Sequence, residues 1–332
     1  LCRDRFGIKP LYYQRSKDNF IFSSEIKPIL NLSQKTPEPN LEVLNEFLFW
    51  GNTDWKSDCF FEGIERLLPS SFIEIQFTKE MKIKNFQTEK YYDIVEIIKN
   101  KRSNILNLSS AKEEYYSLLV NSVNLSLEAD VPVGSALSGG LDSSSVVSII
   151  NELKKKKTKK SIQSFQKTFS SVYNDTPECD ESVFIQQLSD YLQVENLKTY
   201  PSLEKFNNEI EKFIYYQEEP VGGASVFAGW CVAELTSKHV TVTLDGQGAD
   251  EYLYGYNYFY GALLKSNMRN PLKIFRLLFN RNNTFDLKKA IKYFLGFLFN
   301  KKTDKVTTAL SLAREKGLTE IVKLLQEKGA RE

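Results

Sequence analysis

The stretch Val133-Gly134-Ser135-Ala136-Leu137-Ser138-Gly139-Gly140-Leu141-Asp142-Ser143-Ser144 decides the fold. Val131 to Leu137 is a short apolar run that ends at glycines, and Ser143 to Leu153 takes up helical spacing. The pattern predicts a strand that runs through two glycines into a helix. Glycines let backbone approach a ligand closely, and the free N–H groups of a helix start attract an anion. Ser138, Ser143 and Ser144 add hydroxyl donors. Asp142 beside such a site would by itself repel a phosphate, so the pattern implies a Mg²⁺ ion between the two. A Gly-Gly turn with serine caps is the bland alternative, and the full S-G-G-x-D-S-S string after a strand weighs against it. Neither the Walker A pattern nor the G-x-G-x-x-G dinucleotide pattern is present in this stretch.

Around it, strands and helices alternate. A capping box at Ser110-Ala111-Lys112-Glu113 opens an amphipathic helix to Leu127. After the glycine loop come strand Ile162 to Phe169, helix Glu181 to Leu192 and strand Glu195 to Tyr200. Helices Leu203 to Tyr216 and Ser225 to Ser237 and strand Val240 to Leu244 follow. This alternation predicts an α/β fold with a parallel, doubly wound sheet. The basic run Lys154 to Lys160 reads as a solvated loop. Leu244-Asp245-Gly246-Gln247-Gly248-Ala249-Asp250-Glu251-Tyr252-Leu253-Tyr254-Gly255-Tyr256 again places glycines and carboxylates at the end of a strand. Ligands of open α/β sheets bind outside the carboxyl ends of strands, so both loops are expected to face one cleft. The competing reading of the second loop is a Gly-rich acidic turn before a Tyr-rich core helix.

Residues 1 to about 92 read as β-rich, with a strand at Phe20 to Ser24, a hairpin from Phe72–Phe77 and Met81–Phe86, and one helix at Leu41 to Trp50. Lys99 to Asn107 reads as a linker, and Leu272 to Phe279 and Leu287 to Phe299 as apolar-faced helices. A chain of 332 residues points to two domains. A net charge of +2 gives no composition argument for nucleic acid or an anionic membrane. The single histidine, His239, weighs strongly against a His-rich zinc site or a His-dependent nucleophile. Cysteines at 2, 59, 179 and 231 form no C-x-x-C pair and fit a reducing compartment. The first residues carry no apolar signal core, and the longest apolar run, Phe294 to Phe299, is too short to span a bilayer. A cytoplasmic protein with neither nucleic-acid nor membrane partners is expected. The sequence also starts mid-pattern without Met, and a partial chain is expected.

The S-G-G-x-D-S-S string resembles the pyrophosphate loop of the N-type ATP pyrophosphatases, and Leu244 to Tyr256 is similar to the second signature of the class B asparagine synthetases. Arg3-Asp4-Arg5-Phe6-Gly7-Ile8-Lys9-Pro10-Leu11-Tyr12-Tyr13, with Phe22 to Lys27, resembles the later half of that family's glutaminase domain. Arg66-Leu67-Leu68-Pro69 and Glu218-Glu219-Pro220 resemble two further elements, so the likeness covers about residues 1 to 260. It implies an adenine-nucleotide-hydrolase-like, doubly wound sheet preceded by the C-terminal part of an Ntn-type, β-rich glutaminase domain. The implied domains are 1–98 and 108–260, with an unassigned helical segment at 261–305. The implied activity is an ATP-dependent amide ligase. A carboxylate, aspartate by resemblance, becomes an acyl-adenylate with release of pyrophosphate and is then amidated by ammonia from glutamine.

The resemblance also implies ATP and Mg²⁺ as cofactors and a set of site residues. Leu137 and the backbone around Lys167 would flank adenine. Ser138, Gly139, Gly140, Leu141, Ser143 and Ser144 would bind phosphates, and Asp142 and Asp250 would hold the metal. Asp245 and Gly246 stand where the family has an ATP-contacting Ser-Gly pair. Asp142, Asp250 and Gln247 are the implied catalytic residues.

Three departures qualify this picture. The family's N-terminal nucleophilic Cys would precede Leu1, and Cys2 is expected to be a small buried thiol instead, so this chain is expected to need free ammonia. Asp245 and Gln247 replace the usual Ser and Glu, which points to carboxylates other than aspartate, such as a peptide or sugar acid. No match to the family's adenylation Lys segment is evident between Tyr260 and Lys305. Residues 306–332, with Thr308-Ala309-Leu310-Ser311-Leu312-Ala313, resemble one ankyrin repeat. This leaves open a homodimer, a protein contact through the tail, and a non-catalytic remnant.

Overall fold

The computed structural model describes residues 1–270 apart from 17–18, 34–35, 81, 101–106, 157–165, 174–179 and 268–269. The helices expected at Leu272 to Phe279 and Leu287 to Phe299 and the ankyrin-like tail lie outside the described residues, as does most of the Lys99 to Asn107 linker. The chain forms two units. Among the described residues the first takes Leu1–Ala111 and Leu203–Phe227, and the second takes Lys112–Ser202 and Ala228 to Asn270. Residues 203–227 group with the first unit.

In the first unit, β1 (Tyr12–Arg15), β2 (Phe20–Ser23), α1 (Ile26–Ser33), α2 (Leu41–Trp50), β3 (Ile64–Arg66), β4 (Ser71–Phe77), β5 (Ile83–Lys90) and α3 (Ile94–Asn100) follow one another. An antiparallel sheet has the order β2-β1-β3, and β4-β5 is the expected hairpin. Helix α2 starts where Asn40 Oδ1 accepts the N–H groups of Glu42 and Val43, and it ends at Gly51 in the left-handed region. Helices α1 and α3 depart from the β-rich reading. Ile26 and Ile29 of α1 are fully buried with Cys59 and Ile64, so tertiary packing sets α1 against the sheet. Cys2 also differs from expectation: it is exposed, in an isolated bridge to Phe72, while Cys59 and Cys231 are the buried thiols among the described residues.

The remaining elements are α4 (Leu108–Ser126), β6 (Val133–Ala136), α5 (Leu141–Lys155), β7 (Lys167–Ser171), α6 (Ser182–Leu192), β8 (Glu195–Thr199), α7 (Leu203–Gln217), α8 (Ser225–Ser237), β9 (Val242–Leu244), α9 (Ala249–Leu253) and α10 (Asn257–Ser266). Helix α4 starts earlier than its expected capping box. Asn107 Oδ1 accepts the Ser110 N–H at 2.9 Å, so Asn107 caps the helix and Ser110 lies inside its first turn. Lys154 and Lys155 belong to the last turn of α5 rather than to a loop.

The sheet of the second unit is parallel throughout, in the order β8-β7-β6-β9. Ser135 of β6 faces Thr168 of β7 on one side and Leu244 of β9 on the other. Val123 and Leu127, Val133, and Ile149, Ile150 and Leu153 form one core between α4, β6 and α5. Leu137, Val147, Ile185, Leu192 and Val194 form a second core that includes α6. Each such side chain contributes roughly 1.5–3 kcal/mol on burial. Gly134 is required in β6 because the ring of the fully buried Phe169 crosses it; a Cβ there would lie 2.7 Å from Phe169 Cε2. Among the described residues no helix is long and apolar enough to cross a membrane.

Candidate functional site

The carboxyl ends of β6 and β9 are neighbours, and the strand order turns back at β6. The first glycine loop leaves β6 and the second leaves β9, so topology alone delivers both to one edge of the sheet. Gly246 gives this direct form. A Cβ on Gly246 would stand 2.5 Å from Ser143 N, 2.6 Å from Asp142 C and 2.8 Å from Ser143 Cα. The second loop therefore rests on the first turn of α5 at a distance that only glycine permits.

The first loop is braced from within. Leu137 N–H donates to Phe169 O at 2.9 Å, and Ser170 Oγ donates to Leu137 O at 2.5 Å, which fixes the backbone as it leaves β6. The Leu137 side chain is 1% exposed and points into the core. Gly139 has φ +81°, and a Cβ there would crowd Glu181 Cβ at 3.1 Å. Ser143 Oγ accepts from Ser138 N–H at 3.2 Å, exchanges a hydrogen bond with Ser138 Oγ at 3.0 Å and donates to Gly140 O at 3.2 Å. Ser143 is buried, so its hydroxyl holds the loop in shape. Gly140 caps α5 without a side-chain bond, leaving the helix start open. Leu141 is 87% exposed beside it. Ser144 N–H bonds back to Gly140 O, and Lys167 is half-buried at the start of β7.

Asp142 lies in the first turn of α5, half-buried. Burial pushes its carboxyl above the usual range, and the charges of Asp250 and Glu251 push it further. The two loops thus bring together carboxylates from separate motifs, and among the described residues none of the three is ion-paired. That arrangement favours a cation. Among the described residues no group of three or more His, Cys, Asp or Glu is placed to hold a metal ion. The tyrosines after the second loop do not form the core helix of the competing reading: Tyr252 and Tyr254 are both more than half exposed.

A cavity of about 220 Å³ opens beside these residues. Asp142, Asp245, Gly246 and Gln247 line it, with Ser145 of α5 and Tyr252. Its far wall is Tyr115, Leu119, Ser122 and Ser126 of α4, which sequence reading missed. Their spacing of four, three and four is one helical face, and hydroxyls on an otherwise apolar stripe were the available signal. Tyr115 and Tyr252 hydroxyls are 3.4 Å apart; that bond, then burial, raises the Tyr252 phenol to about 12. A larger cavity of about 690 Å³ in the first unit contains none of the glycine-loop residues, and the smaller one is the candidate because the motifs converge on it.

Residues 114–332 match the family model described as asparagine synthase, and residues 1–92 match the one described as a glutamine amidotransferase domain. The chain belongs to the asparagine synthase family. It is 31% identical over 264 residues to a Methanocaldococcus jannaschii protein that carries a glutamine-hydrolysing asparagine synthetase name, covering 76% of this chain and 46% of that protein. It is 29% identical over 278 residues to asparagine synthetase 1 (glutamine-hydrolysing) of Bacillus subtilis, covering 83% and 40%. It is 27% identical over 271 residues to amidase chyE of Penicillium rubens, covering 79% and 38%. The chain spans less than half the length of each of these relatives.

Proposed function

We propose that the protein is an ATP-dependent amide ligase of the glutamine-hydrolysing asparagine synthetase type. The observation that carries this is the contact of Gly246 with the first turn of α5, which joins two nucleotide-type glycine loops into one site. The names of the M. jannaschii and B. subtilis relatives support the same reading. In it, a substrate carboxylate oxygen bonds to the α-phosphorus of ATP and pyrophosphate leaves. Ammonia then bonds to the acyl carbon and AMP leaves with the former carboxylate oxygen. The open start of α5 and Ser138 receive phosphate oxygens, and the buried Ser143 keeps the loop in the receiving shape. Mg²⁺ would be held by Asp142 and Asp250 and would neutralise the departing pyrophosphate.

The finer fold reading belongs to this proposal. The order β8-β7-β6-β9 supports a doubly wound, adenine-nucleotide-hydrolase-like sheet, and the glutamine amidotransferase match supports an Ntn-type first unit that would supply ammonia from glutamine. Aspartate is the first candidate substrate. Asp245 and Gln247 on the cavity wall, together with the amidase name of the P. rubens relative, favour testing other carboxylates beside it. The asparagine synthase match runs to residue 332, through the stretch that resembles an ankyrin repeat, so a protein contact there is the weaker part of the reading.

ATP–pyrophosphate exchange across a panel of carboxylates tests the proposal. Exchange is expected with aspartate or one other acid. Asp142→Ala should weaken Mg²⁺-dependent nucleotide binding, and Asp130→Ala, exposed before β6, should not. Equal effects from the two substitutions would remove Asp142 from the site.

A further inference from the structure

The peptide from which the first glycine loop departs is held from below by a line of polar side chains that the ligase reading does not use. Ser135 of β6, Thr168 of β7 and Asn196 of β8 stand opposite one another across the three strands, and Ser170 follows Thr168 on the same face. Ser135, Thr168 and Ser170 are each at most 1% exposed. Asn196 Nδ2 donates to Thr168 Oγ1 at 3.0 Å and to Ser170 Oγ at 2.9 Å. Each hydroxyl has one hydrogen and passes it on, Thr168 Oγ1 to Glu195 O at 3.1 Å and Ser170 Oγ to Leu137 O at 2.5 Å. The direction of the chain is therefore fixed. With both hydroxyl hydrogens committed to carbonyls, only an amide NH₂ can face the two oxygens, and Asn196 is the donor. That orientation leaves Asn196 Oδ1 buried without a partner among the described residues, a cost that a merely space-filling side chain would avoid.

The line of bonds ends on a peptide of the phosphate loop. Leu137 C=O and Ser138 N–H are the two ends of one planar, trans unit and point in opposite directions. Ser170 holds the carbonyl end, and Ser143 Oγ accepts from the N–H end at 3.2 Å. Ser143 Oγ in turn donates to the carbonyl of Gly140, the cap of α5. Asn196 of β8 is thus joined through Ser170, one peptide unit and Ser143 to the start of α5. Strands β6 and β7 pair in parallel at Ala136↔Phe169, and Leu137 N–H still reaches Phe169 O. The next rung of a continuing ladder would run from Ser171 N–H to Leu137 O. The Ser170 hydroxyl takes that carbonyl, and the chain leaves the sheet there.

We propose that Asn196 and Ser170 are positioning residues for the nucleotide: Asn196 aligns the Ser170 hydroxyl, and Ser170 sets the plane of the Leu137–Ser138 peptide and with it the shape of the loop that receives phosphate. The nucleotide as ligand rests on the ligase reading; the relay rests on the hydrogen bonds alone. Bonds in series where little water enters polarise one another, so loss of the first weakens the last.

Carbonyl NMR of the full chain and calorimetry of Mg²⁺·ATP binding test this together. Ser170→Ala should shift the Leu137 carbonyl resonance. Asn196→Ala, which removes no bond to Leu137 itself, should shift it in the same direction by a smaller amount. Each should weaken Mg²⁺·ATP binding roughly two- to tenfold, the worth of one neutral hydrogen bond. The double variant should bind no more weakly than Ser170→Ala, because the two residues act through one bond. Ser189→Ala removes another buried hydroxyl, bonded to Ile185 O within α6, and should change neither reading. A Leu137 carbonyl unmoved by Asn196→Ala would overturn the proposal, as would a double loss equal to the product of the single ones. A loss in Ser189→Ala as large as in Ser170→Ala would overturn it too, by making the effect one of general packing. If Asn196→Ala does not fold, Asn196→Asp, which keeps the shape and offers no amide hydrogens, gives the same outcomes. Absence of ATP binding in the unaltered protein would defeat the ligase reading and leave the carbonyl shifts to decide the relay.

Discussion

Replacing Gly246 by alanine tests the geometry of the site most directly. The added Cβ would stand 2.5 Å from Ser143 N, 2.6 Å from Asp142 C and 2.8 Å from Ser143 Cα. Heavy atoms in contact sit about 3.5–4.0 Å apart, so the loop and the first turn of α5 would have to separate by about 1 Å. Overpacking typically costs ~1–3 kcal/mol. The obstructing atoms here are helix backbone rather than a side chain that can swing away, so the upper part of that range, about 2–3 kcal/mol, is expected. This corresponds to a factor of roughly 30–150 in the local opening equilibrium. Exchange rates of amides in β6, α5 and β9 read that factor, and calorimetry of Mg²⁺·ATP binding reads the effect on the ligand. Gly140→Ala is the comparator, because its Cβ would find only Ser138 Oγ at 3.4 Å. At the cap of α5, where alanine is poorer than glycine, that substitution should cost only about 0.5–1 kcal/mol. Equal behaviour of the two alanine variants would refute the claim that the two loops meet through Gly246.

Two further outcomes concern protonation. Asp142 is held above its ordinary value of 3.8 first by burial and then by Asp250 and Glu251; Asp250→Asn removes one like charge and should lower the Asp142 titration midpoint in metal-free protein, as followed by carboxyl NMR. Burial alone would raise Glu218, but the N–H groups of Ile26 and Lys27 and the Lys27 ammonium outweigh it and hold the carboxyl below 4.5. A depressed acid stabilises the fold above its unfolded value and loses that contribution as pH falls through its folded value. Acid titration of first-unit stability below 4.5 should therefore be flatter in Glu218→Gln than in the parent, and identical slopes would show that Glu218 is not a stabilising cap.

The parts of the fold that could be read from sequence are those whose cause is local. Helix α2 is bounded by Asn40 and Gly51 within its own stretch, and the sequence reading and the structure agree on Leu41–Trp50. Helix α8 agrees equally well, at Ser225–Ser237. The two glycine loops were legible because their requirements, φ +81° at Gly139 and close approach at Gly246, fall on the residues themselves. Helix α1 escaped because its cap is Glu218, far along the chain, and because Ile26 and Ile29 are buried with Cys59 and Ile64, which come only after α2. Helix α7 was read as a helix but not as part of the first unit. Periodicity identifies an apolar face and cannot say which core receives it; here Phe206 and Phe213 pack edge-on against Phe227. The α4 wall of the cavity was hidden for the same reason, since Tyr115 and Ser122 become site residues only when α4 lies against β9's loop.

The wide separation of β6 and β9 sets a timetable for the growing chain. Val133 pairs with Val242, so the β6 edge waits 109 residues for its partner. The Ile26 amide waits 192 residues for Glu218. At a synthesis rate of about 5–20 residues per second, these intervals last roughly 5–20 s and 10–40 s. Over that time one side of β6 is an unpaired strand edge in the nascent polypeptide, the kind of surface that associates with other chains. The edge that later receives β9 is thus, during translation, a surface for a ribosome-bound chaperone to cover.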